Sequence, residues 1–541
     1  MTRTTSPLGL HTASLSAALV LLALVSVLLC GCSTTSIHEE EPATPVNQVI
    51  PAKLAIVHTG GVGGAYARQG DSMGIASVAA LAHKLEDEGY EVLLLDSGDS
   101  FVGSPLVNLS DGEAPVAFMN AAGYDALTLG QAELSLGLDL LKRRTTQSDF
   151  TYLSANVKPA TKAKTPMKEN MVITLADGRK VGVFGLSAPD VTEKLGPATT
   201  HDFAADDEEL KDIAHEQVAA LRSEGCRLVI CLANLGTDDE GTPRAQRLAS
   251  SVSGINVLLD VSPGGAEQIS ATDASGDKML VVETAPELAG ASVVTWETGK
   301  LSVKFYDASS QEGEDEQLGA LVNQTEQEAS LHLAKEVATA QRAISLGNGS
   351  VPSGLAQLAT DAILWEADRS SKEKPVAAVF TASQLKAALP QGSITNEDVL
   401  AVLPHVSTKL CTLEVRGSQL QAVLAPLLAA QPTYHEATPY IAGIELVHES
   451  GQDGLPAEAS IEKVGGVAFS PTSTYVIATC EGLIAPGGPL YALTQGAKDP
   501  VAVGSSAGKA LSAYLDRACK GEVPERYLEA PAPEAPAPDQ N

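Results

Sequence analysis

KLAIVHTGGVGG at residues 53–64, followed by EVLLLDSGDSFVGSP at 91–105 and FMNAAGYDALTLGQAELSLG at 118–137, decides the fold. Residues 54–58 and 91–95 are apolar runs with β-branched content, each ending in small or acidic residues and followed by a helical pattern. Such runs read as buried parallel strands whose C-terminal ends carry loops, where open α/β folds place their chemistry. Asp96 and Asp99 stand at the end of the second strand, and Glu133 in the loop after a third. Carboxylates at strand ends suit a metal site. Against that, the one nearby histidine, His58, lies inside the first strand.

Outward from this stretch, residues 51–321 continue to alternate. Strand candidates are FTYLSANV (150–157), KVGVFGLSAP (180–189), CRLVICLANLG (226–236), INVLLDV (255–261), MLVVETAP (279–286) and 291–308. Residues 75–89 and 207–225 carry the helical period and end in glycine. Glu297-Thr298-Gly299-Lys300 reads as a hairpin turn, so this domain's sheet ends in antiparallel strands. Residues 322–343 are a polar helical stretch that connects to a second α/β domain at 344–528. There Thr395 stands three before Asp398, a capping-box start. Residues 529–541, EAPAPEAPAPDQN, are too Pro-rich and acidic to pack and read as a disordered tail.

With 36 basic against 67 acidic residues the net charge is −31, which excludes a nucleic-acid or anionic-membrane surface. The first 31 residues read as a leader. Arg3 is followed by an apolar run from Ala18 to Leu29, too short to span a bilayer, and then by Leu29-Cys30-Gly31-Cys32. This ending resembles the lipobox of bacterial lipoproteins, in which Cys32 would become the first residue and carry the lipids; a plain secretory leader is the alternative. Residues 32–50 form a polar, Pro-containing tether. Ser33 after the cysteine favours the outer membrane where the host has two. Of the remaining cysteines, Cys226 and Cys231 sit at an odd separation that points them to opposite strand faces, and Cys480 with Cys519 is a candidate pair.

DSGDSFVGSP, GEAPVAFMNAAGYDALTLG, YLSANV, GSITNEDVLAVLP and APGGPLY, in this order, resemble the bacterial 5'-nucleotidase family. The resemblance implies a metallophosphoesterase-like α/β sandwich followed by a second α/β domain, the 5'-nucleotidase C-terminal domain. It also implies two divalent metals, and there this chain departs from the family. Gly61 and Gly63 match the family's Asp-x-His, Gln131-Ala132-Glu133 its Asn-His-Glu, Asn234 a histidine, and Ser262 and Gly264 its Gly-His-x-His. Asp99 matches the bridging aspartate and is the one vestigial metal ligand. Asp96, Asp99, Glu133 and Asp260 could alternatively form an all-oxygen Ca²⁺ or Mg²⁺ site. Otherwise Asp96 braces its loop, Glu133 and Asp260 are solvated, Gly98 and Gly130 permit tight turns, and Asn120 and Asn156 bond loop backbone.

In the second domain Lys386 stands where the family has a phosphate-binding arginine, and Pro404-His405-Val406-Ser407 matches Pro-Phe-x-Asn. Gly487-Gly488-Pro489-Leu490-Tyr491 replaces the base-gripping loop. Tyr491 and Tyr440 are candidates for stacking on a base, or else brace the fold. The expectation is a membrane-anchored lipoprotein of the bacterial envelope, facing the periplasm or the outside. It would be catalytically degenerate, without a cofactor, and would bind a nucleoside or nucleotide or a protein partner. The alternative is a divergent metal-dependent 5'-nucleotidase or phosphoesterase.

Overall fold

The computed structural model describes residues 53–528, apart from 102, 137, 160–166, 190–200, 203–205, 239, 347–351, 404–407, 430–434, 451–455, 485–487 and 499. The leader, Cys32, the tether, the tail, Pro404–Ser407 and Gly487 therefore lie outside the described residues.

Among the described residues, twelve strands build the two main sheets of the first domain. They are β1 (Lys53–Thr59), β2 (Tyr90–Asp96), β3 (Ala126–Thr128), β4 (Thr151–Leu153), β5 (Asn170–Thr174) and β6 (Lys180–Ser187). After them come β7 (Cys226–Asn234), β8 (Val257–Val261), β9 (Glu267–Thr272), β10 (Lys278–Thr284), β11 (Ala291–Glu297) and β12 (Lys300–Tyr306). They form two six-stranded sheets, in the orders β12-β11-β1-β2-β3-β4 and β9-β10-β8-β7-β6-β5. The central strands are parallel in both sheets, and antiparallel strands close the edges.

Alternation places the core. Leu54 and Ile56 of β1 meet Leu228, Ile230 and Leu232 of β7 between the sheets. Ala55 and Val57 face the helices on one side, and Val229, Cys231 and Ala233 those on the other. The result is helices, sheet, sheet, helices. The hairpin at Glu297–Lys300 is as the residues imply, with Thr298 and Gly299 both at positive φ, 48° and 83°. Helices Ile75–Asp87 and Asp207–Ser223 stop just before Gly89 and Gly225, each near φ 86°.

Three expectations are corrected. The connecting helix is Glu316–Leu333 rather than 322–343, because Asp315 caps it earlier and Glu336–Ala340 instead pairs as a strand with Gly392–Thr395. Cys226 and Cys231 lie in the same helix-side cluster. The β6–β7 register slips between Lys180 and Val181, and that bulge reverses the alternation. Cys480 and Cys519 are free thiols. Cys480 ends a strand opposite Leu410 in the core, whereas Cys519 follows the C-terminal helix near Arg526.

The second domain has a five-stranded mixed sheet in the order Pro439–Ala442, Ala377–Thr381, Thr474–Cys480, Lys409–Arg416, Val501–Ser506. Helix Gly354–Ser370 buries Leu355, Leu358, Ala362 and Ile363 in the core beside this sheet. The Thr395–Asp398 capping box forms, with Thr395 N–H donating to Asp398 Oδ2 at 2.8 Å.

Candidate functional site

The C-terminal ends of β1, β2, β3, β7 and β8 converge, and the loops leaving them hold the positions singled out above. Gly61 N–H donates to Gly98 O at 2.7 Å and Gly63 N–H to Asp99 O at 3.1 Å, which ties the first loop to the second. A Cβ on Gly61 would sit 3.0 Å from the Val261 side chain, next to Ser262. The structure thus gathers Gly61, Gly63, Asp99, Ala132, Asn234 and Ser262 into one region.

Asp99 is at its centre, in the left-handed region at φ 57°. Its Oδ1 accepts from Ala132 N–H at 2.8 Å and its Oδ2 from the Asn234 side-chain amide at 3.0 Å. The same amide also donates to Ser97 O at 2.8 Å. Both carboxylate oxygens are therefore engaged by the protein's own donors. Gly130 is not a left-handed turn residue (φ −96°); it is needed because a Cβ there would lie 2.4 Å from Asp99 Oδ1. Gly98, at φ 78°, does supply the tight turn.

Asp96 braces its loop as expected. Fully buried, it accepts from Thr59 Oγ1 at 2.7 Å, Gly98 N–H at 2.8 Å and Ser100 Oγ at 2.8 Å. Burial pushes its pKa up to about 6, and the Thr59 and Ser100 hydrogen bonds oppose that rise. Glu133 is not solvated. With 0% exposure, it accepts four backbone N–H groups: Asp99 and Gly130 on Oε2, Ser100 and Phe101 on Oε1, at 2.8–3.1 Å. Burial first, and then the Asp99 charge, push its pKa up to about 7. Asp260 is likewise buried rather than solvated, and accepts from Val261 N–H at 2.9 Å and Leu235 N–H at 3.3 Å. Gln131 is exposed. Ser262 Oγ accepts from Gly264 N–H at 3.2 Å. Among the described residues, no three His, Cys, Asp or Glu side chains are grouped as a metal site would require.

Asn120 and Asn156 bond loop backbone, Asn120 to Gln147 and Asp149, and Asn156 to Ser187 on both of its amide atoms. In the second domain Tyr440 is removed from the ligand candidates. It is 6% exposed in the core, and its hydroxyl accepts from Ser353 N–H at 2.7 Å. Lys386 is exposed, and Tyr491 is 39% exposed on a short helical turn whose first N–H donates to Gly488 O. Both remain accessible to a ligand.

Two lysines were passed over in the sequence. Lys409 Nζ donates to Ser135 O, at the end of the short helix that bears Ala132 and Glu133. Lys509 Nζ pairs with Asp111. Burial lowers the Lys409 pKa to about 8, and Glu481 and Asp111 resist this. The available signal for Lys409 was a cation opening the strand KLCTLEV, whose alternate positions Leu410, Thr412 and Glu414 are interleaved with apolar Cys411, Leu413 and Val415.

This architecture, a two-sheet sandwich joined by one helix to a second α/β domain, is that of the two-domain 5'-nucleotidases. Residues 332–495 match the family model of the 5'-nucleotidase C-terminal domain. The chain is similar to the 5'-nucleotidases, in sequence through this domain and in fold across both. A snake venom 5'-nucleotidase of Crotalus adamanteus is 30% identical over 190 residues, 34% of this chain and 31% of that protein. A 5'-nucleotidase of Vibrio parahaemolyticus is 30% identical over 221 residues, 39% of this chain and 38% of that one. The chain thus spans about a third of the length of these relatives. In fold it is similar to a 5'-nucleotidase precursor from Thermus thermophilus (TM-score 0.50, 21% identity, 87% of this chain and 97% of that chain). A putative 5'-nucleotidase from Staphylococcus aureus is similar too (TM-score 0.51, 17% identity, 86% and 97%).

Proposed function

We propose that this chain is a catalytically degenerate protein of the 5'-nucleotidase fold that acts by binding, lipid-anchored through Cys32 in a bacterial envelope. The observation that carries this reading is the Asp99 carboxylate, held on one oxygen by Ala132 N–H and on the other by the Asn234 amide. Two divalent ions a few ångströms apart need several anionic or imidazole ligands to fix them and offset their repulsion. Where the family resemblance places such ligands, this chain has Gly61, Gly63, Ala132, Ser262 and Gly264. These residues do not fit a two-metal centre. The anchor rests on the Leu29–Cys32 ending alone.

Retained binding of a nucleoside or nucleotide is the favoured role. The C-terminal domain match includes Lys386 and Tyr491, both accessible. Lys386 supplies a charge without the two-pronged geometry of arginine, so phosphate recognition is weak.

The test is phosphate release from AMP and UDP-glucose by the purified mature protein with Mn²⁺, Mg²⁺, Zn²⁺ or Ca²⁺, alongside elemental analysis. Background rates, unchanged in Asp99→Ala, are expected. Turnover near about one per second that collapses in Asp99→Ala would establish the divergent phosphoesterase instead.

A further inference from the structure

A cavity of about 530 Å³ lies away from the Asp99 region, between the two domains. Its walls are the short helix Pro105–Leu109 of the first domain, the connecting helix Glu316–Leu333, and the helices Asn396–Val402 and Ala507–Ala513 of the second. The size is that of a small-molecule site.

Two independent features mark it as more than a gap. The first is the connecting helix. Only Leu318 and Val322 of its 18 residues are buried, both in its first half. The second half turns Thr325, Glu328, Ala329 and His332, spaced i, i+3, i+4, i+7, to the cavity, and of these only Ala329 also packs against the first domain's core. A helix normally gives that stripe to an apolar partner.

The second feature is charge. Of sixteen lining residues three are Lys or Arg, against 36 in 541 for a chain of net charge −31. Lys335 pairs with Asp516 at 3.3 Å and Lys509 with Asp111, while Arg517 has no ion pair among the described residues. Glu328 is held by Gln324 Nε2 at 2.9 Å. The wall between these groups is already bonded. Asn396 Nδ2 donates to His332 O at 2.8 Å, and its Oδ1 accepts from Ser512. One guanidinium is thus left to meet an anion, in a cavity that Leu106, Leu109, Ala329 and Val399 also line.

We propose that this cavity binds a small amphipathic anion, a single carboxylate or phosphate on a short apolar body. The head group sits at Arg517, and the body lies against the Leu106, Leu109, Ala329 and Val399 side chains. The site is separate from the Asp99 region and holds whether or not that region is catalytic. Because both domains contribute walls, the ligand fastens them to each other.

Isothermal titration of the full mature chain with octanoate and octyl phosphate, against acetate and inorganic phosphate, tests this. At least one octyl compound should bind with Kd below about 1 mM, and at least about tenfold more tightly than its chain-less counterpart. The tighter of the two octyl compounds identifies the head group. Arg517→Ala, at an exposed position, should weaken binding about tenfold or more. Ala329→Trp, on the half-buried helix face, should block it by filling the cavity, with the unfolding midpoint of both variants retained. Failure of both octyl compounds to bind overturns the proposal. So does equal binding of acetate or phosphate, or binding unchanged in the two variants.

Discussion

The side-chain amide of Asn234, at the end of β7, donates to Oδ2 of Asp99, in the loop after β2, across 135 residues of sequence. An amide there joins the two sheets' loops directly. With Ala132 N–H on the other oxygen, the Asp99 region is a closed hydrogen-bonded knot.

Asn234→Ala should therefore destabilise the protein by about 1–3 kcal/mol, since the half-buried Asp99 carboxylate and Ser97 O lose a donor. Urea midpoints with and without EDTA check this. The loss should be the same in both, and a wild-type midpoint that drops in EDTA would point to a bound metal instead.

Glu133 accepts four backbone N–H groups with two oxygens, so Glu133→Gln leaves one pair of them without an acceptor. The cost should be at least about 2 kcal/mol, while Gln131→Ala, exposed on the same helix, stays within about 0.5 kcal/mol. Equal effects in denaturant melts would refute the bracing role.

His58 is buried in β1 between Ser292 Oγ at 3.0 Å and Ser97 Oγ at 2.7 Å, and burial pushes its pKa down to about 3. The folded protein refuses a proton that the unfolded chain takes up near pH ~6.5. Stability from this group is thus complete above about pH 6.5 and is lost as pH falls toward 3. The raised pKa values of Asp96 and Glu133 act in the opposite sense. Comparison with His58→Gln isolates the histidine. Between about pH 6.5 and 5 the wild type should lose about 2 kcal/mol relative to the variant. A constant difference would show that His58 does not titrate this way.

Cys32→Ser should release the protein from membrane fractions or leave an uncleaved precursor, read by fractionation and gel mobility. Wild-type behaviour would refute the proposed lipid anchor; stable attachment of that kind needs more than one acyl chain.

Local and repetitive features were legible along the chain. Apolar runs such as Leu54–Val57 and Leu93–Leu95 set buried strands, Gly89 and Gly225 ended helices, and Thr298-Gly299 turned a hairpin, because each depends on neighbours a few residues away. The order of the motifs was likewise enough to recognise two domains. What the polar residues do emerged only once the chain was folded. Glu133 and Asp260 read as solvated charges in an acidic chain, yet both are buried, because backbone N–H groups from distant loops converge on them. Gly130 owes its place to the approach of Asp99 rather than to its own φ, and a one-residue bulge in β7 overrode the alternation at Cys226 and Cys231. Tyr440 left the surface because its side chain, although on an edge strand, packs into the second domain's core. Hydrogen-bond partners and burial are set by how distant segments meet, and spacing along the chain carries no record of that meeting.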